Sequence, residues 1–245
     1  MPLYNAPLLI GGPFNLTKIP GMFAYWNAEN AALSGTSIVT LADQSGAGQT
    51  ARNLVRVANP GPEYNASDPN FNYYPSIYGV ATTGPRLQAL TFDTPLPQPH
   101  TAYLVHRVET NANTVFWRSL NGNYDNSAGY YISGGFARLQ TANSSGNNIV
   151  SSATVTNGNK VMCAVYNGMT TNSAMYYNDS TTPSGAYPGQ GGIDVANCNG
   201  LTIGSFFSAV TYSWAAMVIY AGAHDQPTRA KIMGFFGNKY GIAVV

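Results

Sequence analysis

The stretch Ser213-Trp-Ala-Ala-Met-Val-Ile-Tyr-Ala221, followed after a short turn by residues 225–241, carries the clearest fold signals in the sequence. The first run is apolar and has the length of a strand. In the second, Asp225 can cap a helix, Pro227 lies in its first turn and Gly241 follows its last turn. One face of this helix carries apolar residues at helical spacing: Ile232, Phe235, Phe236 and Tyr240. The pattern predicts a buried strand followed by one short helix that packs its apolar face on a sheet.

The chain before this strand consists of short apolar runs separated by clusters of Gly, Asn, Ser and Pro. The predicted strands are residues 22–26, 38–41, 54–57, 87–92, 102–109, 115–119, 129–132, 137–141, 160–166, 173–177, 201–203 and 214–220. Many short strands at this rhythm are typical of an all-β sandwich or barrel. Neither a second domain nor a repeat of fixed period is visible, so residues 22–245 are predicted to form one domain.

Residues 1–21 differ from the rest because prolines recur throughout them. Pro2, Pro7, Pro13 and Pro20 exclude a helix and leave an extended segment. Its apolar side chains need a surface to pack on: Leu3, Leu8, Leu9, Ile10 and Phe14. The segment is either the first strand of the domain or an arm that docks on a neighbouring subunit, and we slightly favour the arm.

Charge is scarce. Charged residues make up 9% of the chain, against about 25% in an average domain, and the formal net charge is +1. Without a basic face the chain is not expected to bind nucleic acid. No apolar run approaches the roughly 20 residues of a membrane-spanning helix, and the amino terminus lacks the basic region of a secretory signal. We therefore expect no membrane insertion, and synthesis in the cytoplasm.

The two cysteines, Cys163 and Cys198, do not form a metal-binding pattern, because the histidines lie far from them in sequence. We favour two buried thiols over a disulfide, which stays the alternative. Asp43 and Asp93 could contribute to a calcium site, but each is more often a turn-forming or strand-capping residue. No metal or cofactor is predicted.

Both ends of the chain resemble the laminin-G-like subgroup of the concanavalin A-like lectin/glucanase sandwiches. The motifs are Ala24-Tyr-Trp-Asn-Ala28, Val39-Thr-Leu-Ala-Asp-Gln-Ser-Gly-Ala-Gly48, Pro85-Arg-Leu-Gln-Ala-Leu-Thr-Phe-Asp93 and the ending from Ser213 to Ile242. The chain departs from the subgroup at Asn27, Leu41 and Thr94, where Asp, Trp and Gly are usual. The resemblance implies an all-β fold of two antiparallel sheets, a jelly-roll sandwich with one short carboxy-terminal helix.

Catalysis is not expected. Glycosidases of this superfamily carry acidic residues at alternate positions of one strand, and none of the three glutamates, Glu29, Glu63 and Glu109, has such a partner. Lyases of the fold would bring His, Tyr and Arg together, but strand alternation places Tyr103 and Arg107 on one face and His106 on the other. No serine lies in a nucleophile-elbow motif.

A glycan site is one reading of the aromatic and amide side chains around residues 117–130. The candidates are Trp117, Asn121, Asn123, Tyr124, Asp125 and Tyr130. Aromatic faces stack on the apolar side of a sugar ring, and amides bond its hydroxyls. The alternative, which we favour, is that Trp117 and Tyr130 fill the core while the asparagines form turns.

The composition, the apolar amino terminus and the fold together resemble virion proteins of tailed bacteriophages. That resemblance implies a non-catalytic structural protein on the outside of a capsid or tail, made in the host cytoplasm. Its partners would be other virion proteins, in a homo-oligomer or a lattice, and possibly a host surface glycan. The alternative is a glycan-binding, lectin-like module of a secreted or cell-surface protein, with an extracellular location.

Overall fold

The computed structural model describes residues 14–46, 50–57, 61–79, 86–108, 114–120, 128–133, 136–143, 146–154, 156–167, 173–187, 198–204 and 212–245. In chain order the strands are β1 Met22–Asn27, β2 Ala31–Ser34, β3 Ser37–Leu41, β4 Leu54–Arg56, β5 Glu63–Asn65, β6 Ser76–Gly79, β7 Leu87–Ala89, β8 His100–Val108, β9 Thr114–Ser119, β10 Ala128–Ser133, β11 Phe136–Asn143, β12 Gly146–Thr154, β13 Gly158–Tyr166, β14 Ser173–Tyr177, β15 Gly185–Tyr187, β16 Leu201–Ile203 and β17 Tyr212–Ala221. Helix α1, Gln226–Tyr240, follows β17. The predicted all-β fold with one carboxy-terminal helix is confirmed.

The strands form two antiparallel layers, as the jelly-roll prediction requires. The first sheet has the order β1-β17-β8-β13-β14-β15. The second has the order β2-β3-β4-β7-β16-β9-β10-β11-β12. Strands β5 and β6 link the layers, since β5 pairs with β3 and β6 pairs with β17.

The main core lies between the two sheets and follows strand alternation. Ala102, Leu104 and Met217 of the first sheet face Trp117 and Ile203 of the second, and all five side chains are buried. Alternate residues of one sheet therefore point at alternate residues of the other, as in other sandwiches. This core sets the direction of every outward-facing side chain discussed below.

A second core covers the outer face of the first sheet. Tyr103, Cys163 and Val218 point away from the main core and belong to one cluster with the buried side chains of the helix. The buried side of α1 consists of Arg229, Ile232, Met233, Phe236 and Tyr240. The predicted burial of Phe236 is confirmed. Phe235 is only half-buried and packs on Phe14 at a centroid distance of 5.3 Å, because the buried stripe is centred on Met233 and Phe236 instead.

Both ends of the helix follow the sequence signals. The Asp225 carboxylate accepts a hydrogen bond from the Thr228 N–H at 3.0 Å. Gly241 has φ of 68°, the left-handed conformation that ends many helices. Beyond it the chain folds back, since the Ile242 N–H donates to the Gly237 carbonyl at 2.8 Å.

The amino-terminal segment meets the same outer face. Its described part, residues 14–21, contains a single turn at Leu16–Lys18 and no strand. Leu16 is buried, and its carbonyl accepts a hydrogen bond from the Tyr220 hydroxyl at 3.1 Å. Leu3, Leu8, Leu9 and Ile10 lie outside the described residues, so docking of this segment on a neighbouring subunit stays a prediction.

The two aspartates with family-like positions stabilise the edge beside β1. Asp43 accepts hydrogen bonds from the Tyr25 and Ser45 N–H groups, at 2.8 and 2.9 Å. Asp93 forms an ion pair with Arg52 at 2.8 Å, and the Arg52 guanidinium also donates to the Phe23 carbonyl. Both carboxylates are therefore engaged in holding loops against the edge strand.

Both cysteines are buried and free, so the interpretation as two buried thiols is confirmed. Burial raises the pKa of each thiol to about 12, although a hydrogen bond from Tyr103 lowers the pKa of Cys163 and one to the Gly200 backbone lowers that of Cys198. Thiols with such pKa values are protonated at neutral pH and unreactive.

Candidate binding site

Trp117 and Tyr130 lie in the main core, not on the surface. Neither side chain is exposed. Trp117 packs edge-on against Tyr166 at 5.6 Å, and Tyr130 stacks on Phe116 at 5.2 Å. Their ring faces are covered by other side chains, which is the core interpretation given above. Asn121, Asn123, Tyr124 and Asp125 lie outside the described residues.

The Tyr130 hydroxyl instead belongs to a row of buried side chains that are hydrogen-bonded to one another. Its hydroxyl is hydrogen-bonded to His106 Nε2 at 3.0 Å and to the Tyr177 hydroxyl. Burial lowers the pKa of His106 to about 3, so the imidazole is neutral. Tyr103, on the opposite face of β8, is hydrogen-bonded to His224 Nδ1 at 2.7 Å. The histidine and tyrosine considered for a lyase therefore do not converge.

The outer face of the second sheet offers a different surface. In β4 and β7, Leu54 and Leu87 point into the main core, so Val55 and Gln88, which are paired across the two strands, point outward. Leu90 continues this outward alternation beyond β7. No described helix covers this face, in contrast to the first sheet.

A groove of about 510 Å³ runs along this part of the sheet. Its lining residues are Thr50, Ala51, Asn53, Val55, Arg56, Val57, Gln88, Leu90 and Thr91. Three apolar side chains in it are exposed: Leu90 by 72%, Val55 by 48% and Val57 by 44%. Exposed aliphatic groups clustered in a concave surface are a recurrent feature of ligand sites.

Gln88 lies in the groove between these apolar side chains. The residue is only 9% exposed, and within the described part of the chain its amide has no hydrogen-bond partner. Neither amide atom is among the fully buried polar atoms that lack a partner, so the amide end is open to the groove that it lines. The Gln88 amide can therefore both donate to and accept from a ligand that enters the groove.

The groove walls are held by internal bonds. The Asn53 side-chain oxygen accepts a hydrogen bond from the Asp43 N–H at 2.9 Å. Arg52, between two lining residues, is turned inward by Asp93. The aliphatic stem of Arg56 packs against Gly61, because a Cβ at Gly61 would lie only 2.3 Å from Arg56 Cδ. Arg56 is the charged residue among those that line the groove.

Sequence reasoning missed this site because its signal is ambiguous. Residues 54–57 read Leu-Val-Arg-Val, in which the face that carries Arg56 also carries Leu54 and the other face carries two valines, so the pattern favours burial of the wrong face. Residues 87–90 read Leu-Gln-Ala-Leu, where only Gln88 marks an outward position. A pairing of the two runs could have been proposed, but the exposed side follows only from the core.

Comparison with solved structures shows the fold. The chain is similar to the ligand-binding domain of botulinum neurotoxin serotype D in complex with N-acetylneuraminic acid, with a TM-score of 0.64 and 9% identity over 89% of this chain and 51% of that one. It is also similar to botulinum neurotoxin type C, from a study of cell entry through two ganglioside molecules, with a TM-score of 0.62 and 12% identity over 89% and 51%. A third neighbour is the binding domain of botulinum neurotoxin DC with rat synaptotagmin II, with a TM-score of 0.61 and 12% identity over 84% and 52%.

This chain thus spans about half the length of the solved structures it matches. At such low identity the likeness establishes a jelly-roll-like β-sandwich and nothing further. No protein-family model and no curated protein matches the sequence.

The described residues contain no helix with the length and hydropathy needed to cross a membrane. They also contain no group of three or more His, Cys, Asp or Glu side chains placed to hold a metal ion.

Proposed function

We propose that this chain is a non-catalytic recognition module that binds a glycan in the groove between β4 and β7. The observation that carries the proposal is the Gln88 amide, which has no hydrogen-bond partner among the described residues and lies beside exposed Val55, Val57 and Leu90. The absence of an alternating acidic pair in the sequence supports a binding role over hydrolysis.

The groove has the chemistry that a sugar ring requires. The aliphatic side chains offer an apolar surface for its C–H groups, and the Gln88 amide matches adjacent hydroxyls as donor and acceptor. Val55 and Gln88 lie on neighbouring strands about 5 Å apart, and Val55 and Val57 are about 7 Å apart along the chain. This footprint is comparable to that of one hexose ring.

The structural neighbours support the same class of ligand. One is described in complex with N-acetylneuraminic acid and another in connection with ganglioside molecules. Both ligands are saccharide-bearing, and both proteins share the sandwich fold with this chain. An extracellular or particle-surface location would bring the groove to such ligands.

The test is a glycan array followed by calorimetric titration of the best ligand. Leu90→Ser and Gln88→Ala should each weaken binding by about fivefold or more, because each removes one contact worth roughly 1 kcal/mol. The matched control is Tyr73→Ser, since Tyr73 is 71% exposed, as Leu90 is at 72%, and does not line the groove.

Unchanged melting temperatures in all three variants would show that only the surface was altered. Equal binding by wild type, Leu90→Ser and Gln88→Ala would exclude the groove as the glycan site. Release of reducing sugar from any array ligand would contradict the non-catalytic role.

We further propose that the module is displayed on the virion of a tailed bacteriophage, with other virion proteins as its partners. The low charge and the apolar residues 1–13 support this setting. Because Phe14 and Leu16 pack on the domain, a deletion of residues 2–13 should leave it folded while abolishing incorporation into particles. Mass spectrometry of purified particles measures this, and incorporation of the truncated chain would contradict an attachment role.

A further inference from the structure

We infer that the groove recognises an acetamido group, so that the preferred glycan contains an N-acetylhexosamine. This inference rests on the proposed glycan-binding function and names the class of sugar. An acetamido group combines an amide N–H, a carbonyl oxygen and a methyl group. The groove offers a partner for each of them: the Gln88 amide, the Asn53 amide and the exposed aliphatic side chains beside them.

The orientation of the Asn53 amide is fixed by the backbone. Its Oδ1 accepts a hydrogen bond from the Asp43 N–H at 2.9 Å, and the amide nitrogen cannot take that place because it only donates. The Nδ2 group therefore points away from Asp43, and it has no hydrogen-bond partner among the described residues. Asn53 is half-buried and lines the groove. Its Nδ2 is thus a fixed donor for a carbonyl oxygen of the ligand.

Gln88 supplies the complementary acceptor. Its amide end is open to the groove and has no partner in the described part of the chain, so Oε1 can accept the acetamido N–H while Nε2 donates to a neighbouring sugar hydroxyl. Gln88 is paired with Val55, and Asn53 comes two residues before Val55. Gln88 and Asn53 are therefore diagonal neighbours on adjacent strands, a relation in which residues lie roughly 7–8 Å apart.

One amide group fits between these two side chains. In a trans amide the N–H and C=O groups point in opposite directions, so a single ligand amide can donate to Gln88 and accept from Asn53 at the same time. Hydrogen bonds of about 2.9 Å at both ends of the amide span a distance of this order. A hydroxyl group in the same place is smaller and reaches only one of the two side chains.

The methyl group of the ligand falls among aliphatic side chains. In a trans amide it lies on the same side as the N–H, and therefore beside Gln88. Val55 lies across from Gln88 and Leu90 follows it along the chain, and their side chains are 48% and 72% exposed. None of the described residues that line the groove is aromatic, so the lining offers no ring face for stacking. Burial of a methyl group against branched aliphatic side chains is the apolar contact that this lining favours.

The test titrates the wild-type protein with two pairs of methyl glycosides: glucose against N-acetylglucosamine, and galactose against N-acetylgalactosamine. The members of each pair differ only at carbon 2. We expect the acetamido member to bind about tenfold more tightly in at least one pair, because it adds one hydrogen bond and one buried methyl group. This preference should persist at high salt, since the acetamido group is uncharged.

Asn53→Asp isolates the fixed donor. Aspartate keeps an oxygen for the Asp43 N–H but replaces Nδ2 with a second oxygen, so the acetamido sugar should lose most of its advantage while the parent hexose keeps its affinity. The matched control is Asn65→Asp, because Asn65 Oδ1 accepts from the Ser67 N–H at 3.1 Å and Asn65 does not line the groove. Val55→Thr, which replaces one methyl group with a hydroxyl, should reduce the advantage about threefold.

Equal affinity of wild type for both members of each pair, or an equal loss in Asn53→Asp and Asn65→Asp, would overturn the inference. Hexose binding that still depends on Leu90 would preserve the proposed function in that case. An array ligand whose binding is unchanged in Leu90→Ser and Gln88→Ala would instead exclude the groove as the glycan site. An acetyl-lysine peptide carries the same acetamido group without a sugar, and tighter binding of that peptide than of either acetamido sugar would contradict the sugar assignment.

Discussion

The two sheets of this sandwich are built from similar strands, but their outer faces differ in what packs on them. β13 and β17 of the first sheet are buried on both faces, one against the second sheet and one against α1. In β4 of the second sheet Leu54 is buried, while Val55 and, just beyond β7, Leu90 are exposed on the outer face. The difference teaches that a strand with a continuous apolar run needs packing partners on both faces, whereas a strand buried on one face leaves the other face free for binding.

The largest expected effect tests whether the helix is part of the core. Phe236→Ala, on the buried side of α1, should lower the free energy of unfolding by about 3–5 kcal/mol, because it opens a cavity in a packed interior. The matched variant Phe136→Ala lies on the outer face of the second sheet, where Phe136 is 41% exposed, and should cost less than about 1 kcal/mol. Urea unfolding measures both, and equal losses would remove the distinction between the two outer faces.

A second effect concerns the buried histidines of β8. Burial lowers the pKa of His100 from 6.5 to about 4, although the Pro97 carbonyl raises it. As the pH falls below 6.5, the unfolded chain takes up a proton before the folded one does. The free energy of unfolding should therefore be constant above about pH 6.5 and decrease toward pH 4 by about 3 kcal/mol from this residue.

His100→Phe isolates that contribution. Phenylalanine keeps the aromatic contact with Tyr166, now 4.5 Å between centroids, but cannot titrate. Urea unfolding at several pH values should give a shallower decrease for the variant than for wild type. An identical decrease would assign the acid sensitivity to other groups, such as His106 or His224.

The smallest expected effect concerns two buried tyrosines at the outer face of the first sheet, which α1 covers. The Tyr220 hydroxyl donates to the Leu16 carbonyl, so Tyr220→Phe should cost about 1 kcal/mol. The Tyr240 hydroxyl is buried and, within the described residues, has no partner. Tyr240→Phe should therefore leave the free energy of unfolding unchanged or raise it. A loss as large as that of Tyr220→Phe would indicate that the Tyr240 hydroxyl is satisfied in solution.

The helix and the strongest strands could be predicted because their signals are local. Asp225 and Gly241 mark the helix ends through their own side-chain or backbone preferences, and both act as expected. The run from Val161 to Tyr166 is apolar throughout, which indicated burial on both faces, and the structure places it so. Such signals depend on a few neighbouring residues and survive any tertiary arrangement.

The binding face could not be predicted in the same way. Trp117 and Tyr130 have the chemistry of a sugar site, yet strand pairing turns them into the core. Gln88 has no sequence motif, and its importance arises only when Val55 and Leu90 are brought beside it. Phe235 and Phe236 are neighbours in sequence, but only Phe236 is fully buried because the sheet contacts one side of the helix.

The sequence by itself determined the all-β class, the short helix with its two ends, the buried free thiols and the scarcity of charge. These follow from residue chemistry, turn propensity and periodicity, which act over a few positions. Only the tertiary structure decided which face of which sheet is covered, because that depends on where α1 packs and how β4, β7, β16 and β9 align. The groove exists through that alignment, in which side chains distant in sequence share one outward face.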